Sequence, residues 1–363
     1  MIPVTKSFLP PLDDYTAQVQ RAYNNGWLTN RGALVLELEE QLARYLALET
    51  SKLLLMANGT LPLQISLKAL AKSGEVITTP FSYVATTAAI AWEGCTPVFV
   101  DIHPEYLTID ETKIEAAITD KTTCILATHV FGNPCHVEEI DRIARKHHLK
   151  VIYDGAHAFG VKYKGRSIFE FGDVSTCSFH ATKIFHTGEG GAVLCKDPEL
   201  FKELYSRHNF GHDGYLAFHG LGINGKMSEL QGAMGLAVLS HMKDILVSRE
   251  ASCQEYRKAL NHPSLTFPKL RTETQWNCGY FPVLFSSETI LLSVENALNQ
   301  KKVFPRRYFY PSLSTLEYVP KAEVPVAEDV ASRILCLPLF VGITASEIQS
   351  IADIIQKILT SDQ

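Results

Sequence analysis

The middle of the chain alternates short apolar runs with segments of helical periodicity, and this alternation restricts the possible folds more than any other feature. Between residues 52 and 200 the apolar runs are KLLLMA, EVITTP, PVFVDI, CILATHV, KVIYD, VSTCSF and GAVLC. Short runs of this kind, rich in β-forming residues, are typical of strands buried on both faces. Because helical segments separate them, the sequence predicts an α/β domain with a mostly parallel sheet.

Helical patterns flank this region on both sides. The segments DDYTAQVQRAYNNG and LVLELEEQLARYLAL precede it, with the turn TNRG between them. After about residue 225 come SELQGAMGLAVLSHM, a second helical segment, the short strand YFPVLF and the closing helix ASEIQSIADIIQKIL. We therefore expect a large domain at 1–240, which includes the first helices, and a smaller α+β domain at 241–363.

Charge and cysteine usage argue against several classes of protein. The formal net charge is -5, which argues against a protein that coats nucleic acid or an anionic membrane. The sequence shows no signal peptide and no apolar run long enough to span a bilayer, so we expect a cytoplasmic protein without membrane contact. The eight cysteines are scattered singly without a CxxC pair, and no metal site is predicted.

Lys183 and Asp154 are the first candidates for chemistry. Lys183 follows a buried strand in SFHATKIFHTGEGGAV, and Asp154 ends the strand KVIYD. Taken singly, Lys183 fits a solvated loop residue and Asp154 a helix N-cap. Ligands of open α/β sheets collect at the carboxyl ends of the strands, so the two side chains are expected to face one crevice. A site for pyridoxal phosphate would employ both residues, since this cofactor needs a lysine for its Schiff base and an acid that pairs with its pyridine nitrogen.

An anion site and an aromatic wall are also expected near this crevice. In ANGTLPLQISLKAL, Gly59 and Thr60 open a helix directly after a strand, where backbone N–H groups bind phosphate well. Ser178 offers a further hydroxyl, and Tyr83 in PFSYVATT offers a ring face. Each feature alone also fits ordinary turn, cap or core chemistry. Their combination favours a cofactor site.

In this combination the chain resembles the DegT/DnrJ/EryC1/StrS family of sugar aminotransferases. The resemblance runs nearly end to end through GWLTNRG, ANGT, TTPFSYVAT, PVFVDI, YDGAHAFG, SFHATKIFHTGEGGAV, GINGKMSELQGAMG and RRYFYPSL. It implies the fold of aspartate aminotransferase, known as fold type I, with pyridoxal 5'-phosphate as cofactor. It also implies a homodimer in which the two subunits share their active sites.

The resemblance also assigns roles to the two central residues and their neighbours. It implies that Lys183 links covalently to the cofactor and that Asp154 bonds its pyridine nitrogen. His157 matches the position that contacts the ring hydroxyl, where the family usually has glutamine, and Tyr83 matches the stacking aromatic. In some relatives a histidine at the lysine position goes with dehydratase activity, so Lys183 favours amino transfer.

Phosphate contacts follow in the same way from the resemblance. Gly59, Thr60 and Ser178 match residues that hold the phosphate, and Asn224 in GINGK matches an asparagine that reaches the cofactor of the neighbouring subunit. Lys226 is a departure, because arginine is frequent there. A monomer is expected to be inactive.

The implied substrates are a nucleotide-linked keto-sugar and L-glutamate as the amino donor. The motifs look most similar to those of the members acting on dTDP-linked 6-deoxy-keto-hexoses, so the expected acceptor is dTDP-4-keto-6-deoxy-D-glucose. Candidate substrate contacts lie in TNRG and RRYFY, at Asn30, Arg31, Arg306, Tyr308 and Tyr310. Three alternatives stay open: amination at a 3-keto group, a sugar dehydratase that uses the same cofactor, and a cofactor-binding regulator without turnover.

Overall fold

The computed structural model describes residues 1–49 and 52–361, without the side chain of residue 361. Helices in these ranges are α1 Leu12–Asn25, α2 Ala33–Tyr45, α3 Thr60–Leu70, α4 Val84–Trp92, α5 Glu111–Ile114, α6 Val137–Lys146, α7 Pro198–Arg207, α8 Glu229–Leu239, α9 Met242–Ala259, α10 Glu288–Gln300, α11 Pro325–Arg333 and α12 Ala345–Ser361. Strands in these ranges are β1 Ile2–Pro3, β2 Lys52–Met56, β3 Glu75–Thr78, β4 Thr96–Phe99, β5 Thr122–Thr128, β6 Lys150–Asp154, β7 Lys162–Tyr163, β8 Arg166–Ser167, β9 Val174–Ser178, β10 Gly191–Cys195, β11 Leu265–Thr266, β12 Thr274–Gln275, β13 Pro282–Phe285, β14 Val303–Phe304 and β15 Ile334–Cys336.

A central sheet of seven strands, counted within the described residues, organises the first part of the chain. Its order is β2-β10-β9-β6-β5-β3-β4. These strands coincide with the apolar runs KLLLM to GAVLC, and they are buried because helices cover both faces of the sheet. The prediction of an α/β fold with a mostly parallel sheet is confirmed.

Strand direction changes at one side of this sheet. The pairs β3–β4, β3–β5, β5–β6 and β6–β9 are parallel, whereas β10 runs antiparallel to both β9 and β2. The turn from β9 to β10 contains Lys183, which the chain therefore places at the carboxyl end of β9. Asp154 ends β6, the parallel neighbour of β9, so the topology brings these two residues to the same edge.

The local sequence explains how the helix after β2 begins at the same edge. The side-chain oxygen of Asn58 accepts hydrogen bonds from the N–H groups of Thr60 and Leu61, at 2.9 and 3.0 Å. This Asx-type cap satisfies two of the N–H groups that the first turn of α3 leaves unpaired. The start of α3 is thereby fixed beside the end of β9.

The C-terminal part of the chain builds a second core. A three-stranded sheet of the described residues, in the order β11-β13-β15, packs with α9, α10 and α12 around buried residues between Cys253 and Leu359. This arrangement fits the expected smaller α+β domain. The domain boundary at residue 240 stays a prediction, and the predicted end at 363 lies outside the described residues.

Within the described ranges, none of the helices combines the length and the apolar character that crossing a membrane requires.

Candidate active site

A cavity of about 560 Å³ opens at the carboxyl edge of the central sheet. This volume lies in the range of ordinary cofactor and small-molecule sites. Its walls include seven of the residues that the sequence predicts for the cofactor, namely Gly59, Thr60, Tyr83, Asp154, His157, Ser178 and Lys183. The fold thus brings together side chains that are far apart in the sequence.

The carboxylate of Asp154 is held rigidly at the floor of the cavity. Its Oδ2 accepts a 2.7 Å hydrogen bond from the hydroxyl of Thr86, and its Oδ1 accepts one of 3.0 Å from the N–H of Ala156. Thr86 is linked in turn to Ser82, with 2.9 Å between the two hydroxyl oxygens. The carboxylate is 5% exposed and oriented, so it can pair with a protonated ring nitrogen.

The amine of Lys183 lies in the same cavity, close to a tyrosine from the C-terminal part of the chain. Its Nζ donates a hydrogen bond of 3.1 Å to the Oη of Tyr280. Burial lowers the pKa of the Lys183 amine, and the negative charge of Asp154 opposes part of this effect. A lysine with a lowered pKa is more often neutral, and the neutral amine is the form that acts as nucleophile or base.

His157 is enclosed by aromatic rings and has a defined hydrogen-bond partner. The N–H of Phe131 donates to its Nδ1 at 3.2 Å, and the ring of Phe309 stacks on it at 5.6 Å between centroids. Burial, together with the positive charge of Lys183, holds the pKa of His157 well below its usual value. Because Nδ1 accepts a hydrogen bond, the proton of the neutral ring sits on Nε2, which is then a donor.

The cavity wall formed by the start of α3 and by Ser178 has the features of an anion site. The N–H groups of Thr60 and Leu61 are already bonded to Asn58, which leaves the Gly59 N–H and the hydroxyls of Thr60 and Ser178 as donors. A Cβ at Gly59 would lie 2.6 Å from both Cβ and Oγ of Ser178. Only glycine allows the start of α3 to approach Ser178 this closely, and a cradle for phosphate results.

The predicted substrate contacts divide into two groups. Arg306 and Tyr308 line the cavity, with the guanidinium of Arg306 4.8 Å from the centre of the Tyr308 ring. The residues predicted from TNRG do not line the cavity of their own chain, and the guanidinium of Arg31 is bonded to Glu39, with 3.0 Å between Nε and Oε2. Tyr310 does not line the cavity either, and its ring packs against the guanidinium of Arg307 at 3.5 Å.

Asn224 and Asn30 are exposed and likewise stand apart from the cavity of their own chain. Asn224 forms an isolated β-bridge with Asn209 in the segment between α7 and α8. Its phosphate contact stays a prediction that requires a second copy of the chain.

Sequence reasoning missed two side chains of this site. Thr86 is one of two adjacent threonines in α4, so nothing local marks it as the partner of Asp154. Tyr280 lies in NCGYF, just before β13, where an aromatic residue is read as core packing. Its contact with Lys183 spans 97 residues of sequence and becomes visible only in three dimensions.

The residues present fit pyridoxal phosphate. Asp154 supplies an acid partner, Lys183 an amine, and the start of α3 with Ser178 an anion site, all in one cavity. The half-exposed ring of Tyr83 forms part of the wall of the same cavity. These groups match the two ends and the reactive centre of that cofactor.

Comparisons with known proteins agree with this geometry. The profile of the DegT/DnrJ/EryC1/StrS aminotransferase family matches residues 13–356. The chain is 39% identical over 364 residues to a dTDP-4-amino-4,6-dideoxy-D-glucose transaminase of Shigella dysenteriae, covering 98% of each chain. It is 31% identical to a GDP-perosamine synthase of Escherichia coli O157:H7, covering 93% of this chain and 94% of that one.

A solved structure is similar over almost the whole length. It is that of DesI in the presence of its TDP-sugar product, with a TM-score of 0.93 and 32% identity, covering 99% of this chain and 93% of that one. The chain belongs to the DegT/DnrJ/EryC1/StrS aminotransferase family, and it is an aminotransferase with pyridoxal phosphate as its cofactor.

Proposed function

We propose that this enzyme transfers the amino group of L-glutamate to dTDP-4-keto-6-deoxy-D-glucose and so forms dTDP-4-amino-4,6-dideoxy-D-glucose. The observation that carries the proposal is the meeting of Lys183, Asp154 and the Gly59–Ser178 cradle in one cavity. The transaminases from Shigella dysenteriae and Escherichia coli, each 39% identical to this chain, support the choice of sugar and nucleotide.

In the proposed mechanism the cofactor, when bound, supplies an electron-withdrawing ring that stabilises negative charge on the reacting carbon. Thr86 and Ala156 hold the carboxylate of Asp154 in place, where it would keep a proton on the ring nitrogen of the cofactor. The Nζ of Lys183 would remove the proton from the reacting carbon of the substrate and later return one. His157 would donate a hydrogen bond from Nε2 to the ring oxygen, and Gly59, Thr60 and Ser178 would hold the phosphate.

The substrate contacts follow from the charges at the cavity. Arg306 carries a permanent positive charge at the wall and lies against the ring of Tyr308. We assign this pair to the acidic groups of the substrates, since guanidinium groups bind carboxylates and phosphates well. Asn30, Arg31 and Tyr310 remain proposed contacts. Asn30 and Arg31 do not line the cavity of their own chain, so we assign them to a sugar bound in the site of the partner subunit.

Product analysis tests this proposal. The enzyme is incubated with ¹⁵N-labelled L-glutamate and either the 4-keto or the corresponding 3-keto sugar nucleotide, and the products are weighed. We expect one ¹⁵N atom in the product from the 4-keto sugar and at least about a hundredfold slower reaction with the 3-keto sugar. Equal rates, or preference for the 3-keto sugar, would contradict the proposed acceptor. Loss of the ketone without ¹⁵N would indicate a dehydratase, and cofactor binding without any product a regulator.

We further propose a homodimer with shared active sites. Asn224 is exposed and lies outside the cavity of its own chain, as expected of a residue that serves the partner. Large apolar side chains of the same segment are strongly exposed, at Tyr215, Leu216, Phe218 and Leu221. A patch of this kind is typical of a surface covered by another protein chain.

Subunit mixing tests the shared site. The variants Lys183→Ala and Asn224→Asp are each expected to be nearly inactive as pure dimers. A mixed dimer contains one intact site, because the Lys183→Ala subunit supplies Asn224 to the lysine of its partner. Recovery of about a quarter of wild-type activity after subunit exchange supports the sharing, estimated from random pairing of the two chains. No recovery, although mixed dimers are detected by mass, would contradict it.

The product would be an activated amino sugar, which suits the synthesis of polysaccharides such as the O-antigen of lipopolysaccharide. We propose that role and a cytoplasmic location for the enzyme.

A further inference from the structure

Tyr280 lies where it can act on the reactive amine of the site. Its Oη is 3.1 Å from the Nζ of Lys183, and its ring lines the cavity beside His157, at 4.6 Å between ring centroids. Tyr308 packs edge-on against the same ring at 5.7 Å. The phenol oxygen of Tyr280 therefore has a fixed position relative to Lys183.

A buried arginine holds the backbone just before Tyr280. Arg249 on α9 is 6% exposed, and it donates from Nε to the carbonyl of Cys278 at 3.0 Å and from Nη2 to that of Gly279 at 2.7 Å. Burying a guanidinium is costly unless its donors are satisfied. The two carbonyls accept from two of its five N–H donors, and these bonds fix the positions of the carbonyls.

Asn277 ties the same segment to the loop that follows β6. Its Nδ2 donates to the carbonyls of His157 and Phe159, each at 2.9 Å, while its Oδ1 accepts from the N–H of Gly279 at 3.0 Å. The indole of Trp276 donates to the carbonyl of Phe131 at 2.8 Å. The segment 276–280 is thus bonded to the residues around His157 before it delivers Tyr280 to Lys183.

We propose that Tyr280 is a positioning residue of the amino transfer: its Oη accepts a hydrogen bond from Lys183 Nζ and holds the amine with its lone pair toward the substrate's reacting carbon. This inference rests on the proposed role of Lys183. The proton count is simple, because Lys183 takes one proton from the carbon and returns one, while Tyr280 keeps its own. Burial raises the pKa of the Tyr280 phenol, so it stays neutral and does not pair with Lys183 as an anion.

The variant Tyr280→Phe removes only the phenol oxygen and keeps the ring that packs on His157 and Tyr308. The matched control is Tyr45→Phe, which removes a partly buried phenol oxygen from a ring stacked on Phe159 at 5.7 Å. Circular dichroism and thermal unfolding of both variants first establish that they fold as the wild type does.

The first readout uses the cofactor-free protein. The rate at which a small acylating reagent labels Lys183 is followed against pH by peptide mass spectrometry, which gives the titration midpoint of the amine. Loss of an acceptor destabilises the ammonium form, so we expect the midpoint to fall in Tyr280→Phe and to stay unchanged in Tyr45→Phe.

The second readout is the conversion of the cofactor-loaded enzyme by L-glutamate in a single turnover. We expect Tyr280→Phe to slow it about tenfold, with a larger isotope effect for α-deuterated glutamate and the donor concentration for half-maximal rate within about twofold of wild type. An unchanged midpoint, or a conversion rate within about twofold of wild type, would overturn the role of Tyr280. If the wild type itself does not respond to glutamate, the proposed function fails, whereas the labelling comparison still tests the contact with Lys183.

Discussion

The hydroxyl of Thr86 donates a 2.7 Å hydrogen bond to Oδ2 of Asp154 across 68 residues of sequence. This contact fixes a carboxylate that has to remain charged opposite the ring nitrogen of the cofactor. In Asp154→Asn the amide keeps the shape but loses the charge, so we expect turnover to fall at least about a hundredfold while the fold is retained. Steady-state kinetics with saturating cofactor measure this loss.

Asp101 provides the matched control for Asp154. It is also a buried carboxylate, but it accepts from the N–H groups of Val326 and Ala327 at the start of α11, at 3.0 and 2.8 Å. Asp101→Asn is therefore expected to lower stability by about 1 kcal/mol and to leave turnover within about threefold. Similar losses of turnover in both variants would remove Asp154 from its proposed role.

The buried amine of Lys183 gives the cofactor-free protein a characteristic pH dependence. Burial lowers its pKa in the folded state, so the unfolded chain binds more protons between this value and the ordinary lysine pKa of about 10.4. Stability contributed by this site therefore rises with pH across that window. We expect Lys183→Met to be more stable than wild type at pH 7 and to lose this advantage toward pH 10.

Urea unfolding at pH 7, 8.5 and 10 measures this effect, with exposed Lys202→Met on α7 as the control. The control removes a solvated lysine and is expected to change stability by less than about 0.5 kcal/mol at each pH. A Lys183→Met variant that is less stable than wild type at pH 7 would show that burial of this amine does not lower the free energy of unfolding.

His157 is expected to be a neutral donor in the cofactor-free protein. The Phe131 N–H occupies its Nδ1, and burial lowers its pKa, so the Nε2–H tautomer should persist from pH 5 to pH 8. Nitrogen-15 chemical shifts of the labelled ring report the tautomer directly. His157→Gln retains an N–H donor, and we expect its affinity for pyridoxal phosphate to stay within about threefold, whereas His157→Phe loses about tenfold. A proton on Nδ1, or a titration within this pH range, would contradict the assignment.

The close approach of Gly59 to Ser178 tests the anion site. In Gly59→Ala the new Cβ would lie 2.6 Å from Cβ and Oγ of Ser178, so the cradle has to widen. We expect affinity for pyridoxal phosphate to fall at least about tenfold, since one or more phosphate contacts are lost. Pyridoxal, which lacks the phosphate, is the control ligand and should bind both proteins alike. An equal loss for the two ligands would place the phosphate elsewhere.

Much of the fold could be predicted from the sequence, because buried strands leave a strong local pattern. The runs from KLLLM to GAVLC coincide with the strands of the central sheet. The direction of each strand is harder to predict, because a short apolar run has the same pattern whichever way the strand runs in the sheet. The antiparallel setting of β10 follows from the tight return after Lys183, which the pattern of hydrophobic residues does not encode.

The candidate site was also only partly predictable from the sequence. Lys183 and Asp154 could be identified because a charged side chain next to a buried strand is costly unless it is paired or has a function. Tyr280 and the N–H of Phe131 could not be identified in this way, because their partners are distant in sequence. The N–H of Phe131 also depends on an unusual backbone conformation, with φ at 54°, that the sequence does not indicate. The contact proposed for Asn224 lies between subunits, so the single chain shows only the exposed side chain and no partner for it.

The most direct test of amino transfer is the visible spectrum of the cofactor-loaded enzyme during its two half-reactions. L-glutamate is added first without sugar, and dTDP-4-keto-6-deoxy-D-glucose is added after the excess donor has been removed. The account predicts that glutamate abolishes the absorption band of the bound cofactor and that the keto-sugar restores it, with one amino sugar formed per site. A band that glutamate leaves unchanged, or that returns without an amino sugar, would contradict it.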